Sequence, residues 1–425
     1  MSHDVKHLME KWAPVLDADG VNPIKDAHRR QVTAVLLENT QRDLDAQKGI
    51  LMENQPVSGL QGYADNGTGI AKYDPVLISL VRRAAPLMIA YDLCGVQPLT
   101  QPTGLIFALR SRYTNQAGDE ALFNEADSDF SGTGSQAGKT PATLNDPTPG
   151  AYTKGVGINT SVAETLGGTG PDFGEMSFTV EKISVEAKTR ALKASYSVEF
   201  AQDLKSLHGL DADAELSNIL STEILGEVNR EVLRTMYIAA KKGAQDTTVA
   251  GTFDLDVDSN GRWLAEKHKG LLYQIERESN RIAQTTRRGK GNFMVASSDV
   301  VSALNLLGAL DYAPALRQNL GVDESASTFA GVLSNGMKVY VDPYSGTASG
   351  GGQFFMIGYK GSSAWDAGMY YCPYIPLQMV RTTDPNTFTP RMAYRMRYGI
   401  VQNPFESLNG GANNYFRLVG VKNLI

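Results

Sequence analysis

The stretch from Asp211 to Ala240 constrains this chain more than any other. Leu216, Ile219, Leu220, Ile224, Val228, Val232 and Met236 recur at three-to-four spacing, the stripe of an amphipathic helix. Asp211, Asp213 and Glu215 put negative charge where such a helix has its positive end. Lys241 and Lys242 fall at the opposite end, and Gly243 is the expected C-cap. Thirty helical residues make a rod of roughly 45 Å. A rod of that length must lie along a body large enough to cover its apolar side.

Further elements follow from pattern. Trp263 to Thr285 reads as a second helix, with the basic run Thr285–Asn292 at its C-terminus and Gly289 as its cap. Phe293–Ala296 reads as a short strand, and Asp299–Leu307 as a helix capped by Ser297 or Ser298. Met337–Val341 and Phe354–Tyr359 alternate as strands, joined through the Gly/Ser-rich loop Ser345–Gly352. Strands alternating with helices imply an α/β lobe over 246–385. Asp74 and Pro75 open an apolar helical run that Pro86 should break.

Between these elements the texture loosens. Asn54–Gly69 carries few apolar residues and several Gly and Asn, and reads as an extended strap. Residues 111–184 are rich in Gly, Ser, Thr and Asp, with Pro141, Pro147 and Pro149 in close order. Apolar alternation marks their margins, LIFALRSRY and MSFTVEKISVEAKT. The pattern predicts a long two-stranded arm with a floppy tip. The first 53 residues are set apart by mixed charge, nine acids against seven bases, and by a Gly- and Pro-free run from Asp26 to Lys48 that predicts a short amphipathic helix. The terminus before it is expected to fray.

Composition narrows the classes. A chain of 425 residues exceeds what one core usually serves. A formal charge of −6 argues against a general nucleic-acid-binding surface. Cys94 and Cys372 are too few for a disulfide framework and read as small buried groups. No stretch has the length of a transmembrane helix, and MSHDVKHLMEKW lacks the apolar core of a signal peptide. Catalytic signatures are missing as well. The histidines are His3, His7, His28, His208 and His268; His3 and His7 have i,i+4 spacing but no neighbouring Cys, and His208 reads as a turn or interface residue. Thr285–Asn292 lacks the full phosphate-loop pattern and follows a helix instead of a strand. No catalytic residue, metal or cofactor is expected.

Several long blocks carry a family resemblance. They are Pro86–Tyr113 (PLMIAYDLCGVQPLTQPTGLIFALRSRY), Val185–Tyr237, GNFMVAS at Gly291–Ser297, FAGVL at Phe329–Leu333, GYKG at Gly358–Gly361, DAGMYYCPY at Asp366–Tyr374 and RYGIVQNPF at Arg397–Phe405. In that order they resemble the major capsid proteins of T-even-type tailed phages. The resemblance implies an α+β chain with the Hong Kong 97-type capsid fold. It divides the chain into an N-terminal scaffold-contacting propeptide (1–53), an N-arm leading to the peripheral domain (54–107), an extended loop (108–187), a peripheral domain with the long spine helix (188–245), an axial domain (246–385) and a return to the peripheral domain (386–425). The loop is too short for the full insertion domain of T-even members, which is expected to be reduced or absent here. Arg82, Arg83, Arg110 and Arg112 are candidate intersubunit contacts.

The resemblance also implies proteolytic maturation by a prohead protease that cuts after Glu with an aliphatic residue two positions earlier. Leu51, Glu53 and Asn54 fit such a cut at the change of texture. Leu36-Leu37-Glu38 fits too, but inside the predicted helix. The implied partners are further copies in hexamers and an icosahedral shell, a vertex protein, scaffold or core proteins, the portal, decoration proteins, and double-stranded DNA held without sequence specificity, with no membrane. The implied location is the virion, assembled in the bacterial cytoplasm. The alternatives are the family's pentameric vertex protein, an encapsulin-like shell protein and, more distantly, a cytosolic enzyme.

Overall fold

The computed structural model describes residues 2–16, 24, 26–52, 88–122, 125–138, 151–169, 171–209, 211–259, 261, 263–308, 310–311, 328–344, 352–384, 389–403 and 412–424. The predicted strap, the helical run opened by Pro75 and most of the Ser345–Gly352 loop lie outside them. The chain forms two compact units, 1–104 with 184–425, and 105–183. The fold is α+β.

The larger unit holds two sheets. One has four strands: β1 (Gly95–Val96) pairs in parallel with β14 (Met369–Thr383), which pairs antiparallel with β15 (Pro390–Gln402), which pairs antiparallel with β6 (Lys188–Ser195). The β14–β15 ladder slips between Pro373 and Gln378, where Pro373 and Pro376 have no N–H to donate. The second sheet runs β10 (Leu310–Asp311), β11 (Thr328–Leu333), β12 (Lys338–Asp342), β9 (Phe293–Ser297), β13 (Gln353–Gly358), β16 (Asn413–Lys422) and β7 (Ala240–Lys242), with β8 (Thr252–Asp254) also on β16.

The predicted division at residue 385 therefore does not follow the sheets. β14 leaves the α/β lobe for the four-stranded sheet, because it pairs with β15 along almost its whole length. β16 enters the other sheet beside β13.

Helices α1 (Ser2–Leu16), α2 (Ala27–Met52), α3 (Ala90–Leu93), α4 (Thr160–Ala163), α5 (Val198–His208), α6 (Ala212–Ala239), α7 (Leu264–Thr286) and α8 (Ser298–Leu306) complete the described elements. On one side of the larger sheet α7 and α8 bury Leu271, Ile275, Ile282, Val300 and Leu304 against Met294, Ala296, Phe355 and Ile357. The alternate residues Phe293, Val295 and Met356 join a second core with α6 and the four-stranded sheet. This explains why Phe293–Ser297 is buried throughout: both of its faces are covered.

The long helix forms as its stripe predicts. Leu220, Ile224, Val228, Val232 and Met236 are buried, and Asp211 caps the start by accepting from the Asp213 amide at 3.2 Å. Leu216 is only half-buried and Ile219 is exposed. The end differs from expectation. Ala240 is already extended and the chain passes directly into β7, so Lys241 and Lys242 are strand residues. Gly243 is required for close approach instead of capping: its amide donates to Leu418 O at 2.8 Å, and a Cβ there would lie 2.5 Å from Val419.

A similar correction applies to α7. Arg287, at φ 56°, takes the left-handed position that closes the helix. Gly289 is pressed beneath Tyr359, 2.6 Å from where its Cβ would be. The basic residues answer side chains and not the helix end: Arg288 lies 3.7 Å from Asp366, and Lys290 3.4 Å from Glu276. The N-terminus is helical where fraying was expected, since α1 lays Trp12 and Leu16 on Ala34 and Leu37 of α2.

Candidate assembly surface

The smaller unit is organised by a two-stranded ribbon of β2 (Thr103–Tyr113) and β5 (Met176–Glu186). Strand side chains alternate between faces. On one face Arg112 Nε donates to Thr179 Oγ1 at 3.2 Å, and Nη1 donates to Gly118 O at 2.8 Å. Arg110 lies 3.4 Å from Glu120 and 3.6 Å from Glu181, and Arg112 3.7 Å from Glu181. These two arginines are thus engaged by carboxylates of their own unit, Glu181 on the ribbon and Glu120 just beyond it.

The other face is apolar and bare. It carries Leu105, Phe107 and Leu109 from β2 and Met176, Phe178 and Val180 from β5, each between 51% and 72% exposed. At roughly 100 Å² for each half-exposed side chain, the six expose on the order of 600 Å². That is at the top of the range for the largest apolar patch of an ordinary monomer, about 300–600 Å². An isolated two-stranded ribbon is also marginal in water. Both facts call for a covering surface.

The described residues of the tip beyond the ribbon carry local structure of their own. The rings of Tyr113 and Phe130 pack 4.5 Å apart, and β3 (Thr133–Gly134) pairs with β4 (Gly155–Val156). Side chains close the intervening turns, as when Gln136 Oε1 accepts from the Ser128 amide at 2.6 Å and Ser128 Oγ from the Gly155 amide at 2.8 Å. Such local bonds leave no hydrophobic period, which is why composition alone reads the region as loose. The three prolines lie outside the described residues.

In the larger unit α6 is tied to both sheets through charge. Arg190 of β6 contacts Glu227 at 2.7 Å and Glu231 at 2.6 Å, and Tyr398 donates to Glu231 at 2.5 Å. Burial and then the Glu231 carboxylate push the Tyr398 hydroxyl far above its ordinary pKa. On the other side Arg230 bridges both oxygens of the fully buried Asp342 of β12 at 2.8 Å, and Tyr237 donates to it at 2.9 Å. The long helix is therefore a stiff joint between two sheets. The sequence stripe shows its apolar side but not this polar one.

The remaining sequence candidates fall as follows. Glu53, Asn54, Arg82 and Arg83 lie outside the described residues; Leu51 lies in the last turn of α2. Glu38 lies within α2. It accepts from Lys11 Nζ at 2.7 Å and Trp12 Nε1 at 3.2 Å. Burial alone would raise its carboxyl pKa, but these donors hold it below the usual glutamate value. Cys94 and Cys372 are buried, and burial pushes both thiols up to about 12. Among the described residues no cluster of His, Cys, Asp and Glu could hold a metal, and no helix is long and apolar enough to cross a membrane.

Comparison with known proteins sets this architecture among virus shells. The family model described as "Major capsid protein Gp23" matches residues 70–421. The major capsid protein of Salmonella phage ViI is 42% identical over 94% of this chain and 90% of its own length. That of Enterobacteria phage T4 is 34% identical over 98% of each chain. The capsid vertex protein of the same T4 phage is 25% identical over 55% of this chain and 54% of its own. Among solved structures, the capsid of Myoviridae phage XM1 has a similar backbone at a TM-score of 0.42 and 10% identity, over 78% of this chain and 92% of that one. These matches define a structural subunit of a tailed-phage head, not an enzyme. The chain belongs to the Gp23 major capsid protein family, and its place is the virion shell that it builds with copies of itself.

Proposed function

We propose that the chain assembles chiefly as hexamers into an icosahedral, Hong Kong 97-type head, with the apolar face of the β2–β5 ribbon laid on a neighbouring copy. The exposed face of Leu105, Phe107, Leu109, Met176, Phe178 and Val180 carries this reading. In this arrangement 108–187 is the extended loop, 188–245 the peripheral domain, 246–385 chiefly the axial domain, and 386–425 returns toward the periphery while lending β16 to the axial sheet. Residues 54–107 are the N-arm and the entry to the peripheral domain; the strap 54–73 overlaps a neighbour, and Arg82 and Arg83 meet acids of a neighbouring copy.

Residues 1–53 contact scaffold or core proteins and are removed by a prohead protease cutting between Glu53 and Asn54, with Leu51 recognised two positions before the cut. A vertex protein fills the corners, the portal replaces one of them, decoration proteins bind outside, and double-stranded DNA packs inside without base contacts. Without residues 1–53, which carry −2 of the chain's −6, the remaining charge of −4 suits a wall that DNA lies against but does not grip.

Two measurements on assembled shells test the proposal. Leu109→Cys introduces a single reactive thiol, since Cys94 and Cys372 are buried. It should label freely in the lone subunit and at least about tenfold more slowly in shells; equal rates would remove the ribbon from the interface. Mass spectrometry of subunits from mature particles should find a chain beginning at Asn54, and an intact N-terminus would refute the cut.

A further inference from the structure

Helix α2 is held far more firmly than a detachable segment requires. Val32 to Leu37 are buried without interruption, because α2 is covered on two sides. Trp12 and Leu16 of α1 pack on Ala34 and Leu37. Val32 and Leu36 enter the main core with Met88, Tyr91, Leu225, Leu377 and Met396. The void left where Thr33 and Leu36 meet this wall is ≈ 20 Å³, room for about one water.

Polar anchors run along the same side of the helix. Arg29 Nη2 lies 2.5 Å from Asp92 Oδ1, and His28 Nε2 lies 3.0 Å from Val96 O. Asn39 Nδ2 donates to Leu99 O at 2.7 Å and to Tyr374 O at 2.8 Å. Arg395 Nη2 donates to Asp43 Oδ2 at 2.7 Å. One amide thus serves two carbonyls, and the second, at Tyr374, lies where β14 loses its regular pairing. Anchors spaced in this way are those of a helix seated in a groove.

Cutting the chain beyond Met52 breaks one covalent bond and none of these contacts. We propose that the groove on the four-stranded sheet is a docking site for one amphipathic helix, residues 27–43 of its own chain, and that the cut segment stays bound in it. Cutting and release are then separate steps of maturation. This rests on the reading of 1–53 as a propeptide. Release needs a second event that covers the vacated wall and the Leu99 and Tyr374 carbonyls, since a buried acceptor stripped of its donor is costly.

The test uses the full chain with a recognition sequence for a specific protease inserted between Glu53 and Asn54, cut after purification. Size-exclusion chromatography with mass spectrometry should show the N-terminal fragment travelling with the remainder. Asn39→Ala should speed its release at least about tenfold, Leu36→Asp should release it on cutting, and Glu10→Ala, on an exposed residue, should leave the rate unchanged. A fragment that leaves the unsubstituted chain as soon as it is cut, or a release rate indifferent to Asn39→Ala, would overturn the proposal. The engineered site works wherever the natural cut falls, so the mass of mature subunits judges that cut separately.

Discussion

Phe107→Glu combined with Phe178→Glu is expected to give a folded, soluble subunit that forms no closed shells. Both side chains stand on the bare face of the ribbon, at 56% and 65% exposure, so the free subunit loses little packing. Exposed substitutions of this kind usually change stability by less than about 0.5 kcal/mol. In a shell the same positions would be covered, and each carboxylate would have to enter an apolar interface without a partner. The cost is several kcal/mol per charge, repeated in every subunit. Circular dichroism should show an unchanged fold and thermal transition, while negative-stain microscopy with scaffold and protease should show no heads. Normal heads from the double variant would remove the ribbon from the assembly mechanism. Loss of the fold itself would show that the face is covered within the subunit.

How much of this was legible in the sequence depended on how local its cause is. The stripe of α6 could be read because a helix buries the same side turn after turn, and Ile224, Val228 and Val232 recur on that side. Ile219 fits the same spacing yet is exposed, since hydrophobic spacing does not report where the covering layer stops. The ends of helices were less legible. Gly243 and Gly289 look like caps, but close approach to Val419 and Tyr359 explains both, and Arg287 adopts the left-handed turn instead.

Sheet membership was not legible at all. Nothing near 413–422 announces that it pairs with β13, sixty residues earlier. The same holds for Asn39, whose second acceptor, Tyr374, lies 335 positions away. For the candidate surface, alternation in LIFALRSRY and MSFTVEKISVEAKT located the ribbon, and the ion pairs of Arg110 and Arg112 then fixed which face is bare. Charge is conspicuous in a sequence, and Arg110 and Arg112 stand out for that reason. The structure pairs both with carboxylates of the same unit and leaves Leu105, Phe107 and Leu109, on the opposite face of the same strand, exposed.

Glu278→Ala should be the most destabilising single change within the larger sheet's core. The carboxylate is fully buried. Its Oε1 accepts from the Ala244 amide at 3.0 Å and Gln274 Nε2 at 2.9 Å and lies 3.2 Å from Arg281, while Oε2 lies 3.1 Å from Arg417. Four groups from α7, β16 and the turn after β7 thus converge on one side chain, at the point where the chain leaves α6 and passes Gly243. Truncation leaves Arg417, itself 5% exposed, as a buried charge without this partner, and removing one member of a buried pair costs about 3–5 kcal/mol. For a unit of this size that is a fall in Tm of roughly 4–7 °C. Glu278→Gln keeps an acceptor for the Ala244 amide and should lose less. Glu278→Leu with Arg417→Leu removes both charges together and should recover much of the loss, because well-packed apolar replacements of buried pairs are often neutral. Calorimetry of the three variants decides the matter. A melt of Glu278→Ala within a degree of the parent, or a double variant less stable than the single, would show that packing and not this ion pair holds the end of α6 to the sheet.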